Sequence, residues 1–306
     1  MSDHSATGAL ACARPLPAIA ESAYEVIGLL HRFPIPLAQL VTAIRQEPSL
    51  AFEVMRAGLG ETGAPGPLEQ TVVLLGAEAL QALVMAVPLV SPENNGYREF
   101  AAVVQHSRLT ALLTERIAGE SGYPKELAYL AGLLHDIGYL AGAGSYHGGK
   151  QTEPAGCQDS LPDHFRVGGE MARRARLPEW LVDAIERLPP PVGGSAGGFL
   201  VRAVAAADQC AHALSHGLPP QQAKTGLAGG PDSRPESPAW PGRGLDELLR
   251  TCLPMLCAER RQVLANVLEY ECRQWEARSA LTSEDRPFAP RVRLPLYEDD
   301  SRPYRG

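Results

Sequence analysis

Residues 130–140 read LAGLLHDIGYL, from Leu130 to Leu140. Two polar residues, His135 and Asp136, stand side by side inside an otherwise apolar run. His135 follows Ala128 by seven residues and Ala131 by four, so a helix here turns the imidazole inward. Two other segments repeat the pattern. His106 shares a helical face with Leu109, Leu113 and Ile117, and Asp208 shares a stripe with Val201, Val204 and Ala211. Periodicity therefore buries all three. An unpaired carboxylate buried in this way costs several kcal/mol, so it needs a partner or a metal. Two imidazoles and two carboxylates can together hold one divalent cation, and that mixture suits Mn, Fe, Ni or Zn better than Ca. Such a cation brings the pKa of a bound water toward about 7 and polarises a phosphoryl oxygen. Residue by residue, a blander reading stands beside it: each histidine a hydrogen-bonded core residue, and Asp208 a helix cap or an arginine partner.

Working outward, the chain reads as helical almost throughout. Leu, Ala and Val are plentiful and aromatic residues make up 6%, which suits packed helices better than a β-sandwich. Ile19, Ala23, Val26, Ile27 and Leu30 recur at helical spacing. Pro36 and Pro48 are expected to open the next two helices, and Gly58–Pro67 reads as a loop. A helix from Leu68 breaks at Gly76 and resumes to about Val87. The turn SPENNG at Ser91–Gly96 divides a lobe of residues 15–95 from one of residues 97–216. The second lobe is expected to carry helices Tyr97–Ser121, Lys125–Tyr139, His164–Ala175, Pro178–Leu188 and Phe199–Ser215. Asp163 fits an N-cap and Pro178 a first-turn position.

The ends read differently. Residues 1–14 are expected to be disordered, and the Pro-, Gly- and Ser-rich segment 217–244 to be a flexible linker. A C-terminal helical segment over 245–281 carries an apolar stripe of Leu264, Val267, Leu268 and Cys272, which must pack on the main domain or on a second copy of the chain. A mobile tail over 282–306 completes the expectation.

The 306 residues carry a net charge of −7, which weighs against nucleic acid as a partner. The trio Arg173, Arg174 and Arg176 reads as a solvated helix face. None of the six cysteines forms a CxxC pair, so they are expected to be reduced packing residues of a cytoplasmic protein. The start of the chain lacks the layout of a signal peptide. In the apolar stretch Thr71–Val90, Glu78, Gln81 and Pro88 favour a buried core helix over a membrane span.

The string LAGLLHDIGYL resembles the signature helix of the HD superfamily, and the surrounding segments narrow the resemblance to its HDOD family. PLPAIAESAYEVIGLL is similar to the family's opening helix. LAQLVTAIRQEPSLAFEVMRAG and PLEQTVVLLGAEALQALVMA resemble the two segments that follow. HSRLTALLTERIA, DHFRVGGEMARRARLPEWLVDAIE and AVAAADQCAHAL resemble the later ones, in the right order over residues 15–216. The resemblance implies an all-α, multi-helix HD-like bundle of two helical lobes. It also implies a metal set of His106, His135, Asp136 and Asp208, with His164 and Tyr139 as an additional site. At most one cation is implied, from Mn, Fe, Ni, Zn and Mg.

Departures from the pattern shape the functional expectation. Tyr139 stands where cyclic-di-GMP phosphodiesterase relatives carry a lysine, ERLPPP replaces a pair of histidines, and no GYP tripeptide is present. Arg56-Ala57-Gly58-Leu59 replaces the family's NSA-like segment. A two-metal phosphodiesterase is therefore not expected. The first expectation is a bacterial signalling module, non-catalytic or weakly active, that binds a signalling protein or a small molecule and self-associates, if at all, through its C-terminal helix. The alternative is a mononuclear phosphohydrolase acting on a nucleotide or other phosphoester, with Arg108, Arg166 and Arg202 as the nearest phosphate-holding cations.

Overall fold

The computed structural model describes residues 14–62, 67–94, 96–143, 164–188, 198–214, and 249–283 apart from 251, 252, 254 and 255. Among these, eleven helices and two two-residue strands follow in order. Strand β1, Ala18–Ile19, leads into α1, Ala20–Leu30, α2, Leu37–Arg45, and α3, Pro48–Thr62. Helix α4, Leu68–Ala86, ends at β2, Leu89–Val90. The strands pair in parallel, Ala18 with Leu89 and Ile19 with Val90, and so tie the beginning of the helical region to the end of α4. The remaining helices are α5, Tyr97–Ser121; α6, Lys125–Leu134; α7, Ile137–Ala143; α8, His164–Arg174; α9, Glu179–Glu186; α10, Phe199–Leu214; and α11, Ala258–Ser283. The all-α expectation holds.

Helix α5 is the axis of the molecule. It packs along α6 most extensively and along α10 next. Gly132 permits the first of these approaches, because a Cβ there would lie 2.8 Å from the Cα of Ala111 on α5. Its apolar face, from Phe100 through Val104, Leu113 and Ile117, joins two cores. The larger includes α1–α4 and α6–α9. The smaller lies between α5 and α10 and is completed by Leu249, Leu253, Leu256, Leu264, Ala265 and Leu268. Leu264 and Leu268, two members of the stripe on α11, thus pack on the same chain. Val267 is only half-buried, and Val263 and Tyr270 stay exposed.

Several expected boundaries are corrected. Helix α3 continues through Gly58 to Thr62, where a loop was expected. Gly58 serves close packing here, since a Cβ on it would meet Thr71 Cγ2 at 2.2 Å. The expected helix Lys125–Tyr139 is two helices, interrupted at His135 and Asp136. The His135 ring bonds the carbonyl of Gly132 at 2.8 Å, the acceptor that the amide of Asp136 would use in an unbroken helix. Pro178 is the N-cap of α9 rather than part of its first turn.

Helix α4 is not the buried core helix expected. Gly76 (φ 71°, ψ 171°) kinks it. Leu68, Thr71, Val72, Leu80 and Val84 face inward, while Val73, Leu74 and Met85 are exposed. By length and composition it is the one helix among the described residues apolar enough to cross a membrane. The arginine trio is largely surface, with Arg173 paired to Glu186 and Arg174 to Glu170. Residues 1–13, 217–244 and 284–306, read as disordered, flexible or mobile, lie outside the described residues, as does Asp163.

Candidate metal centre

The residues singled out in sequence converge where α5, α6, α7, α8 and α10 meet. His106 comes from the first half of α5, His135 and Asp136 from the break between α6 and α7, His164 from the first residue of α8, and Asp208 from α10. The break between α6 and α7 is what presents His135 and Asp136 together, because adjacent residues on one regular helix diverge by about 100°. Gly138 lets α7 come down on α8: a Cβ there would lie 2.0 Å from the carbonyl oxygen of His164.

Four donor atoms face one another. His106 Nε2 lies 2.9 Å from Asp208 Oδ1 and 3.6 Å from Asp136 Oδ2. His135 Nε2 lies 3.3 Å from each of the same two oxygens. For metal–ligand bonds of about 2.0–2.2 Å, neighbouring donors in a tetrahedral or octahedral shell stand roughly 2.8–3.6 Å apart. The observed separations fall within that interval. Side-chain exposure is 0% for His135, 1% for His106 and 8% for Asp136. Asp208 reaches 18%, so it is less buried than its stripe suggested.

The tautomer of His135 leaves the cluster needing either a proton or a cation. Its Nδ1 is 2.8 Å from the carbonyl oxygen of Gly132, an acceptor, so Nδ1 carries the proton and donates it there. In the neutral ring Nε2 is then a bare lone pair, buried, without a hydrogen-bond partner and aimed at two carboxylate oxygens. Three acceptors face each other unless a proton or a metal ion sits among them. The titration of the ring expresses the same conflict: burial alone lowers its pKa, but Asp136 and Asp208 outweigh burial and raise it well above the ordinary value. For the same reason Asp136 and Asp208 are held well below the carboxylate range despite burial, Asp136 chiefly by His135 and Asp208 by His106 and His135. The donor set therefore fits a divalent cation, with His106, His135, Asp136 and Asp208 as the residues that would hold it.

His164 and Tyr139 lie to one side of this group. His164 Nε2 is 3.4 Å from the second oxygen of Asp136, and the ring of Tyr139 stacks on His164 at 4.0 Å between centroids. Burial, with Asp136 and Asp208 nearby, raises the pKa of the Tyr139 phenol. The pair thus backs Asp136 rather than forming a separate cluster.

Arg108, expected near a phosphate, faces the other way. Its Nε–H donates to the carbonyl of Gln46, and its guanidinium lies 3.9 Å from the buried carboxylate of Glu47. It ties α5 to the turn between α2 and α3.

Sequence reasoning missed one residue. His212 stands one helical turn after Asp208 on α10, with Nε2 3.2 Å from Asp208 Oδ1 and its ring 4.3 Å from that of His106. The hydrogen bond to Asp208 raises its pKa, against the effect of burial. The signal was present as the spacing Asp208–His212, which puts both side chains on one helix face.

Three comparisons bear on the chain's relatives. A sequence model of the HDOD domain matches residues 16–189. Comparison with curated proteins finds none that matches. Among solved structures, two crystal structures of the MmoQ response regulator from Methylococcus capsulatus str. Bath are each 20% identical with TM-scores of 0.53. The alignments cover 68% and 67% of this chain and 91% and 87% of theirs. An HDOD domain protein with unknown function from Geobacter sulfurreducens is 17% identical, with a TM-score of 0.37 over 90% of this chain and 97% of its own. Taken with the helical architecture and the HDIG turn at residues 135–138, the match over residues 16–189 places the chain in the HDOD domain family.

Proposed function

We propose that this chain is a regulatory HDOD module, non-catalytic or weakly active, which works by binding a signalling protein or a small molecule and holds one divalent cation in its His/Asp cluster. The carrying observation is the burial of the cluster on its His106, His135 and Asp136 side, where the Tyr139–His164 stack packs beside Asp136. Arg108 is held by Gln46 and Glu47, away from any phosphate at the cluster. The MmoQ protein, which shares the fold, is a response regulator, and this supports a signalling context. In this reading the cation neutralises Asp136 and Asp208 and fixes the relative positions of α5, α6 and α10, because each of these helices or its end contributes a ligand.

A mononuclear phosphohydrolase is the second reading, favoured by the convergence of two imidazoles and two carboxylates at 2.9–3.6 Å. A bound cation would supply Lewis acidity toward a phosphoester there. In that case His106, His135, Asp136 and Asp208 would hold the ion, and His164, 3.4 Å from Asp136, and His212, 3.2 Å from Asp208, would be the further imidazoles beside it.

One experiment tests both. Metal content is measured by elemental analysis on wild type and Asp136→Ala purified under metal-replete conditions, and both are assayed with bis(p-nitrophenyl) phosphate. Near-stoichiometric metal in wild type, lost in the variant, with no variant-sensitive turnover supports the module. Turnover that needs added metal and disappears with Asp136→Ala overturns it in favour of the hydrolase. A wild type without metal removes the cation from both readings.

A further inference from the structure

Among the described residues of the cluster, His212 is the most exposed. Its side chain is 51% exposed, whereas the other imidazoles are buried or nearly so. Helix geometry places it beside Asp208: on α10 it follows that residue by four, so both side chains leave the same face one turn apart. A pair of ligands at this spacing is a familiar way for one helix to grip a metal ion. The ligand atoms of His106, Asp208 and His212 all lie within 4.8 Å of one another. Those of His106, His135 and Asp136 do so too, and the two triads share His106. The His106 and His212 rings are tilted by 31°, and their Nε2 atoms lie 2.9 and 3.2 Å from the same carboxylate oxygen, Asp208 Oδ1.

We propose that His212 is a fifth ligand, a third imidazole on the Asp208 side of the cation site formed by His106, His135, Asp136 and Asp208. The proposal rests on the reading of that cluster as a cation site. It has two consequences. The donor set becomes three imidazoles and two carboxylates, which moves preference away from Mg, a hard ion favouring oxygen, toward Co, Ni and Zn. It also puts protein at a position that catalytic sites leave to water or substrate, so that a six-coordinate ion keeps a single position for solvent. Fewer open positions agree with a regulatory role.

The test uses the full-length protein with cobalt(II) as probe. Wild type, His212→Ala, His212→Gln and Asp136→Ala are stripped with chelator and titrated with cobalt. Calorimetry gives affinity, and the visible absorption spectrum reports how many ligands surround the ion and of what kind. Because His212 is half-exposed, neither substitution there is expected to unfold the protein, and thermal melts of the metal-free variants verify this. The expected result is one cobalt per wild-type chain, none in Asp136→Ala, and an affinity loss of roughly tenfold or more in both His212 variants. Their cobalt spectrum should shift as well. Glutamine can keep a hydrogen bond to Asp208, so a merely structural histidine would be rescued by it in both affinity and spectrum. Wild-type affinity and an unchanged spectrum in both His212 variants overturn the proposal and leave the four-residue site standing. Absence of cobalt binding in wild type overturns the cation site itself.

Discussion

The buried carboxylate of Glu47 should make the stability of this protein fall as pH rises, and Glu47→Gln should abolish that fall. Glu47 sits in the turn before α3 and is fully buried. Neither carboxylate oxygen has a hydrogen bond of ordinary geometry; Ser22 and the backbone of Ile19 and Ser49 approach without completing one. Burial pushes its pKa up to about 7, with the Arg108 guanidinium at 3.9 Å offsetting only part of that. The ordinary value is 4.5. A folded-state pKa above the unfolded one means that the native state holds the proton more tightly. Stability is therefore greatest below about pH 4.5 and is lost as pH rises toward 7, where the native carboxyl must ionise inside the protein. A gap of roughly 2.5 pKa units corresponds to about 3 kcal/mol, of which about 2.5 kcal/mol falls between pH 5 and pH 8. Glutamine has nearly the same shape and does not ionise. Urea unfolding of wild type and Glu47→Gln at pH 5 and pH 8 isolates the effect, because the difference between the two pH values cancels any packing change. The variant should gain about 2.5 kcal/mol on wild type between pH 5 and pH 8. An equal difference between the two proteins at both pH values would falsify the reasoning and show Glu47 to be ionised and compensated throughout.

Three further outcomes follow from particular contacts. Gly138→Ala forces a methyl against the His164 carbonyl, so α7 and α8 must separate; the expected loss is about 1–3 kcal/mol in denaturant unfolding, with weakened cobalt binding as a second readout. Leu268→Ala empties a buried position between α11 and α5, and it should cost about 2–5 kcal/mol at a protein concentration low enough to exclude association. If that loss instead depends on concentration, α11 packs between copies of the chain. Arg108→Met leaves Glu47 without its cation, so its pKa should rise further; the fall in stability should begin at the same pH but extend to higher pH and become larger, read from the same urea series.

Much of the fold was legible from local signals. Helical periodicity placed α1, α2, α5, α9 and α10 to within a few residues, because each buries an apolar stripe and ends at glycine, proline or a polar turn. Gly76 was read as a break and has a positive φ. The misreadings came from residues whose role is set by a neighbour distant in sequence. Gly58 signals a turn locally but accommodates Thr71. The run Lys125–Tyr139 reads as one helix, but its ladder is broken by a side chain that takes Gly132's carbonyl. Apolar composition made α4 look like a core helix, although Val73, Leu74 and Met85 face out.

The candidate site divides in the same way. Sequence alone determined that His106, His135 and Asp208 occupy apolar helix faces, that His135 and Asp136 are adjacent, and that the order of segments resembles the HDOD family. Those properties follow from the period of a helix and from the motif itself. Only the tertiary structure decided that donors from α5, the α6–α7 break and α10 stand 2.9–3.6 Å apart. It alone turned Arg108 toward Glu47 and brought His212 to the Asp208 side of the group. Separations between residues up to 102 positions apart depend on how helices pack, and packing is a property of facing surfaces that no single helix contains.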